Sequence, residues 1–309
     1  MQETVLSNDR NSLIIGTRGS KLALAQAYEV KALLIDAHDH LNDDNIEINV
    51  MSTRGDRVLD RNLSEIGGKG LFTEEIELAL EKGDIDIAVH SLKDMPTKLP
   101  AGLELACYLP REDVRDAFLS SKASSLGDLP QGAVVGTSSL RRKAQALALR
   151  PDLEIVNFRG NVQTRLQKLD DKVADATFLA MAGLNRLAIN DDRINPVETA
   201  DILPAVAQGA ITIEIASHNN EMMTLLAPLN HKETELRVRA ERHMLDILDG
   251  SCRTPIAGLA TIDGDVMTLK GRVLDDDGNM DFYDEVSGDK NNPEAIGEKL
   301  GQLLKCASS

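Results

Sequence analysis

The residues best placed to do chemistry stand in short loops behind apolar, strand-like runs. Ile85–Val89 (IDIAV) leads straight into His90–Pro96 (HSLKDMP), which delivers Ser91, Lys93 and Asp94 to one loop braked by Pro96. A carboxylate beside Lys93 can stay ionised, hold a cation or shuttle a proton. The plainer alternative is a local salt bridge and cap. Thr137–Lys143 (TSSLRRK) follows a run ending in Gly136 and opens a helix. Backbone N–H groups there, with the hydroxyls of Thr137, Ser138 and Ser139 and the guanidiniums of Arg141 and Arg142, make an anion cradle. The alternative is a capping Ser with solvated arginines. It is the less comfortable one, because bases in a first helical turn oppose the helix dipole at ~0.3–1 kcal/mol each. Phe158–Asn161 (FRGN), with Arg165 and Lys168 behind it, is a second strand–turn–helix with arginine at its mouth, suited to a ligand off the strand ends or to an ordinary surface helix. Cys252, in the turn Gly250–Pro255 (GSCRTP) beside Arg253, reads either as a thiol with thiolate character or as a small buried one. Ile66–Phe72 (IGGKGLF) carries Lys69 but is no nucleotide loop. Leu63 and Gly70 stand where a Walker loop needs Gly and Ser/Thr, and Thr73 stands where the dinucleotide pattern needs Gly.

The elements that position these loops follow from periodicity. Strand-like runs are expected at 12–17, 46–52, 85–89, 133–136, 154–157 and 176–180. Helical spacing is expected at 21–38, 71–81, 139–149 and 162–169. That rhythm predicts parallel-rich sheets covered by helices. After about Pro228 the pattern changes to a long helix over 232–248, three strands within 256–286 and a final helix from Pro293, which predicts a small α+β domain.

The chain has 309 residues, too many for one small core, with a formal charge of −16. Such an acidic protein repels nucleic acid and anionic lipid, and aromatics at 3% offer little for base stacking. No run approaches the roughly 20 apolar residues of a membrane span, and the N-terminus shows no export pattern. Cys107, Cys252 and Cys306 form no disulfide framework, so a cytoplasmic location is expected. Cys107 and Cys306 read as structural thiols. No HExxH, CxxC or GxSxG pattern occurs, and no metal site is expected. Charge is unevenly spread. Residues 139–172 hold eight bases, five of them Arg, against four acids. Arginine suits bidentate carboxylate or phosphate recognition.

Together, GTRGSKLALAQA (16–27), TRGD (53–56), GGKGLF (67–72), DIAVHSLKDMP (86–96), REDVRDAF (111–118), GTSSLRRKAQ (136–145), RGNVQTRLQKL (159–169), AGLNRL (182–187), LPAVAQGA (203–210) and ERHMLDILDGSCRTPIA (241–257) resemble the hydroxymethylbilane synthase (porphobilinogen deaminase) family, in the same order. The resemblance implies tetrapyrrole biosynthesis by a transferase. Four porphobilinogen molecules condense head to tail into 1-hydroxymethylbilane with release of four ammonia, on a dipyrromethane cofactor joined by thioether to Cys252. Loss of ammonia leaves an azafulvenium cation, for which the family's catalytic carboxylate falls on Asp94. Lys93, Ser91, Thr137, Ser138, Ser139, Arg141, Arg142, Arg159, Gly160 and Asp56 are implied around the cofactor. Arg18, Ser20, Gln26, Lys69, Arg159, Arg165, Arg186 and Gln208 are implied around substrate. Six pyrroles would carry twelve carboxylates, which suits an Arg-rich cavity in an acidic protein.

The implied fold is two type II periplasmic-binding-protein-like α/β domains plus the small α+β domain. The first domain is discontinuous (1–109 and 210–227), the second spans 110–209, and 228–309 carries the cofactor Cys. The implied partners are porphobilinogen and linear pyrrole intermediates, for a monomer that touches neither nucleic acid nor membrane. Glu65 and Ala207 depart from the family pattern, where Lys and Gly are usual. A two-lobed solute-binding protein without catalysis is the competing class. The missing export pattern and the GSCRTP turn argue against it.

Overall fold

A computed structural model describes residues 12–57, 73–250 and 254–308, with backbone alone at 56–57. The first stretch runs β1 (Leu13–Arg18), α1 (Lys21–Ala37), β2 (Ile46–Met51), α2 (Arg54–Arg57), α3 (Glu74–Lys82), β3 (Ile87–Ser91), a 3-10 turn at Leu92–Asp94 and β4 (Leu103–Tyr108). Then come β5 (Asp116–Ser120), β6 (Val134–Gly136), α4 (Leu140–Leu149), β7 (Glu154–Val156), α5 (Val162–Asp170), β8 (Ala176–Ala180), α6 (Met181–Arg186) and β9 (Ile194–Pro196). The chain ends with β10 (Ile211–Ala216), α7 (Asn220–Leu226), α8 (Lys232–Ile247), β11 (Ile256–Asp263), β12 (Val266–Leu274), β13 (Asp281–Asp289) and α9 (Pro293–Ala307).

The described residues fall into two compact units. One holds the residues up to Pro110 together with Ala210–Glu235, and the other holds Arg111–Gly209 and the residues from Leu236 onward. The first unit contains a five-stranded sheet in the order β2-β1-β3-β10-β4. β1 pairs in parallel with β2 and β3, while β10 is antiparallel to both β3 and β4. The second unit repeats the plan as β7-β6-β8-β5-β9. There β6 is parallel to β7 and β8, and β5 is antiparallel to β8 and β9. In each sheet the antiparallel fourth strand is the first strand after the chain changes unit. β4, β5, β9 and β10 are not among the segments that periodicity picks out. The C-terminal sheet β11-β12-β13 is an antiparallel meander, and it is grouped with the second unit.

Local chemistry sets the element ends. The Ser20 hydroxyl accepts from the Ala23 N–H and caps α1, which buries Ala23, Gln26, Ala27, Val30 and Leu34 against the first sheet. Gly83 ends α3 in the left-handed conformation (φ 69°) that glycine adopts without steric cost. α3 covers the opposite sheet face through Ile76, Ala79 and Leu80. In the second unit, Ser139 caps α4 and Asn161 caps α5. Phe118 and Phe178 pack edge to face at 5.7 Å in its core. Glu241 on α8 is buried, yet its carboxylate accepts from Arg111 Nη1 (2.6 Å) and Nη2 (3.0 Å) and from the backbone N–H groups of Ala207 (2.7 Å) and Ala260 (2.8 Å). Four donors on one carboxylate tie Arg111, Ala207 and β11 to α8. Among the described residues no helix is long and apolar enough to cross a membrane.

Candidate functional site

In the first unit the parallel strands deliver their carboxyl ends to one rim, the usual ligand edge of an open α/β sheet. Arg18 closes β1, Ser91 closes β3, and Asp94 follows in the 3-10 turn. They line a small cavity of about 70 Å³, open to solvent, together with Ser20, Gln26, Thr73 and His90. Arg18 Nη1 stands 3.9 Å from Asp94 Oδ2, with the side chains 22% and 36% exposed. The acid is therefore in contact with both solvent and a guanidinium. Gln26 and Ser91 bond reciprocally, the amide donating at 2.9 Å and the hydroxyl donating back at 3.0 Å. Lys93 sits in the same turn and is half-buried.

In the second unit the equivalent rim is basic. Thr137–Ser139 follow β6, and Arg159 and Gly160 follow β7. The hydroxyls serve the loop itself. Thr137 Oγ1 accepts from Ser139 N–H, and Ser138 Oγ accepts from Phe158 N–H while donating to Asn157. Gly160 has φ 127°, and a Cβ there would strike Thr164. Arg165 Nε donates to Gly160 O, Lys168 Nζ to Arg159 O, and Arg186 Nη2 to Gly209 O at 3.2 Å.

Arg141 and Arg142 are both buried and share an internal partner. They are not solvated, and the anion they hold is internal. The carboxylate of Asp116, the first residue of β5, is fully buried. It accepts from Arg141 Nη2 (2.8 Å), from Arg142 Nη2 (2.7 Å) and Nε (3.2 Å), and from the Gln208 amide (2.8 Å). Leu203 O and Phe178 O take one further donor from each arginine. Burial alone would raise the Asp116 carboxyl, but the charges of Arg141 and Arg142 and the bonds from Arg142 and Gln208 hold it well below the usual carboxylate range. Gln208 is buried too, with a second bond to Val114 O. Two cations on one anion leave a single positive charge, and Arg141 Nε is buried with no partner.

Of the motif residues, Arg18, Ser20, Gln26, Ser91 and Asp94 thus share one cavity, Thr137–Ser139 and the FRGN turn lie at the strand ends of the second unit, and Arg141, Arg142 and Gln208 gather around the buried Asp116. Lys69, Cys252 and Glu65 lie outside the described residues, as does the side chain of Asp56. Cys107 is fully buried and its thiol is pushed up to about 12, first by burial and then by the charge of Glu235, so it is inert. Cys306 is exposed, against the expectation of a structural thiol, because it falls on the outer face of α9. Four buried acids, Glu77, Asp116, Glu214 and Glu241, are absent from the expected site residues. Asp116 stands within REDVRDAF, where two arginines close by in the sequence screen its meaning. Glu214 interrupts the apolar run ITIEIA, and an acid inside such a run is itself the signal.

The porphobilinogen deaminase dipyromethane cofactor binding domain model matches residues 13–224, and the porphobilinogen deaminase C-terminal domain model matches 235–305. The chain is 55% identical over 302 residues to porphobilinogen deaminase of Paracoccus denitrificans (strain Pd 1222), covering 98% of this chain and 96% of that protein. It is 54% identical over 280 residues to the chloroplastic porphobilinogen deaminase of Pisum sativum, covering 89% and 76%. Among solved structures it resembles a methionine-binding lipoprotein of Bacillus subtilis, with a TM-score of 0.42 at 14% identity over 72% of this chain and 92% of that one.

Proposed function

Because the chain belongs to the porphobilinogen deaminase family, we propose that Asp94 and the basic rim of the second unit carry the family's reaction here. The protein is a transferase of tetrapyrrole biosynthesis that condenses porphobilinogen on a dipyrromethane cofactor. The observation that carries the residue assignment is the cavity at the β1 and β3 ends, where Asp94 faces Arg18 at 3.9 Å.

The residues present fit the cofactor. Its carboxylates need a cationic, dry partner, and the Asp116–Arg141–Arg142 cluster offers one uncancelled charge and an unpartnered buried Nε. Arg141 and Arg142 would hold it, with Ser138 and Ser139 at the same loop and Cys252 as the point of attachment. When bound, dipyrromethane supplies the pyrrole carbon from which elongation starts.

The chain's own residues do the rest. Each addition breaks a carbon–nitrogen bond, frees ammonia, forms a carbon–carbon bond and sheds a proton from a pyrrole carbon. Asp94, beside Arg18, accepts hydrogen bonds from pyrrole N–H groups, favours positive charge developing there, and takes the proton. Arg18, with Ser20 at the α1 cap, grips a substrate carboxylate in the cavity, and the Gln26–Ser91 pair holds the cavity wall. Arg159, Arg165 and Arg186 bind further carboxylates, each charge-assisted bond contributing ~1.5–3 kcal/mol. Asp116 and Gln208 act through the arginines they orient. We further propose three domains with boundaries near 109, 209 and 228, and a monomer in a reducing cytoplasm, where free Cys107 and Cys306 thiols persist.

The test is turnover of porphobilinogen by the purified holoprotein, read as ammonia released per 1-hydroxymethylbilane formed, with intact mass in parallel. The expected result is four ammonia per product and an adduct of two pyrroles that disappears in Cys252→Ser. A wild-type chain of bare mass that still turns over would overturn the Cys252 assignment. No loss in Asp94→Asn would overturn the role of Asp94.

A further inference from the structure

One buried titratable cluster in the first unit has no part in the reaction as described. His90 Nε2 lies 3.0 Å from Glu214 Oε2, with the side chains 4% and 0% exposed. Glu77, in the first turns of α3, is buried at 7% and close enough to feel both charges. His90 also lines the Asp94 cavity, as does Thr73 at the α3 start. The groups facing the cluster are few. α3 brings Glu74, Glu77 and Thr73, β10 brings Glu214, β3 brings His90, and β1 and β4 face it with apolar Ile14 and Leu103. Arg18 and Asp94 stand beyond, at the cavity rim.

Two carboxylates and one imidazole do not balance. Even with His90 charged, the cluster carries one net negative charge, and a buried charge of that kind is costly. Oε1 of Glu77 and Oε1 of Glu214 are both buried without a hydrogen-bond partner. Both deficits have one remedy. A proton on a carboxylate removes the charge and supplies the missing donor. Glu77 is the acid to receive it, since Glu214 already pairs with His90. Burial raises the Glu77 carboxyl. The Thr73 hydroxyl beside it opposes the shift, the charge of Glu214 adds to it, His90 opposes and Glu74 adds.

We propose that Glu77, His90 and Glu214 form a proton store opening through His90 onto the cavity of Asp94. The inference rests on Asp94 being the acid that takes the proton from the pyrrole. In each addition the pyrrole carbon–hydrogen bond breaks, its electron pair returns to the ring, and Asp94 accepts the proton. Ammonia departs first: the proton resting on Glu77 passes through His90 and Asp94 to the amine nitrogen as the carbon–nitrogen bond breaks, and the pyrrole proton taken by Asp94 then refills Glu77 through His90. Nothing is oxidised or reduced. His90 and Glu77 are positioning residues, because they act through Asp94.

The experiment is infrared spectroscopy of the substrate-free holoenzyme in H2O and D2O, with kcat and KM across pH. Wild type is expected to show a protonated-carboxyl carbonyl band at neutral pH that shifts on deuteration. Glu77→Gln, the isostere of the protonated acid, should lose the band and roughly tenfold or more in kcat, with KM unchanged. Glu77→Asp should recover part of the rate. A wild-type spectrum without the band, or a Glu77→Gln enzyme with the wild-type pH profile of kcat, overturns the store. If Glu77→Gln does not fold, the wild-type band and its displacement in Glu214→Gln decide. Failure of the Asp94 role is distinguishable, because full activity in Asp94→Asn leaves the band untouched.

Discussion

The two α/β units share a sheet plan and differ in what they bury beside the antiparallel strand. On β10 of the first unit, Glu214 meets one imidazole and a second acid, Glu77. On β5 of the second, Asp116 meets two guanidiniums and an amide. The first arrangement is short of positive charge and the second has one to spare. Proton chemistry needs the former, since a buried acid with too few donors holds a proton more readily than one in water. Gripping a polyanion needs the latter, since guanidiniums stay charged at every relevant pH. One topology thus supports two electrostatic tasks, and the strands that carry the buried acids are those that enter each sheet from the other part of the chain.

The sharpest way to break this contrast is to neutralise one acid in each unit. Asp94→Asn should lower product formation by ~10²–10⁴, the usual worth of a positioned general base. Its unfolding free energy by urea should stay within about 0.5 kcal/mol of wild type, since the side chain is 36% exposed. Asp116→Asn should show the opposite pattern at the level of stability, costing about 3–5 kcal/mol by urea unfolding because two buried guanidiniums lose their anion. Equal stability losses in the two variants would erase the distinction.

Acid and base titrations sharpen it further. The Asp116 carboxyl is depressed in the fold, so its contribution is present above the unfolded value of roughly 3.9 and is lost as pH falls through the folded value. The Glu77 carboxyl is raised, so its effect has the other sign. Stability is greatest below the unfolded value of roughly 4.3 and declines as pH rises through the folded one. Glu77→Gln should therefore flatten the stability curve above about pH 4, and chemical denaturation over a pH series checks it. A curve as steep as wild type would mean that Glu77 is ionised in the fold.

Much of this was legible in the residues, and the physical reason for the rest is specific. β1, β2, β3, β6, β7 and β8 announce themselves because helices follow or precede them at short range. β5 and β10 do not. Their partners lie far along the chain, as in the Asp116–Ala180 and Glu214–Ala88 pairings, and no local period encodes those. The chemistry shows the same divide. Asp94 is visible from its loop, whereas the fate of Arg141 and Arg142 depended on Asp116, 25 and 26 residues away. Sequence spacing gave the guanidiniums a task, and only the fold revealed that an internal carboxylate already occupied part of it.

The smallest expected effect lies at Ala207, where the resemblance leads one to expect Gly. Its φ is 60°, it is buried, and its N–H donates to Glu241 at 2.7 Å. A left-handed conformation costs an L-residue with a Cβ roughly 1–2 kcal/mol. Replacement by Gly removes that strain but returns about 0.4–1 kcal/mol to the unfolded chain as freedom. The first quantity matches or exceeds the second, so Ala207→Gly should stabilise by up to about 1.6 kcal/mol, read as a small rise in the urea midpoint. The Glu241 bond restrains the backbone in both variants, so kcat should not change. A destabilised Ala207→Gly would show that the alanine methyl packs well enough in the second unit to outweigh its backbone strain.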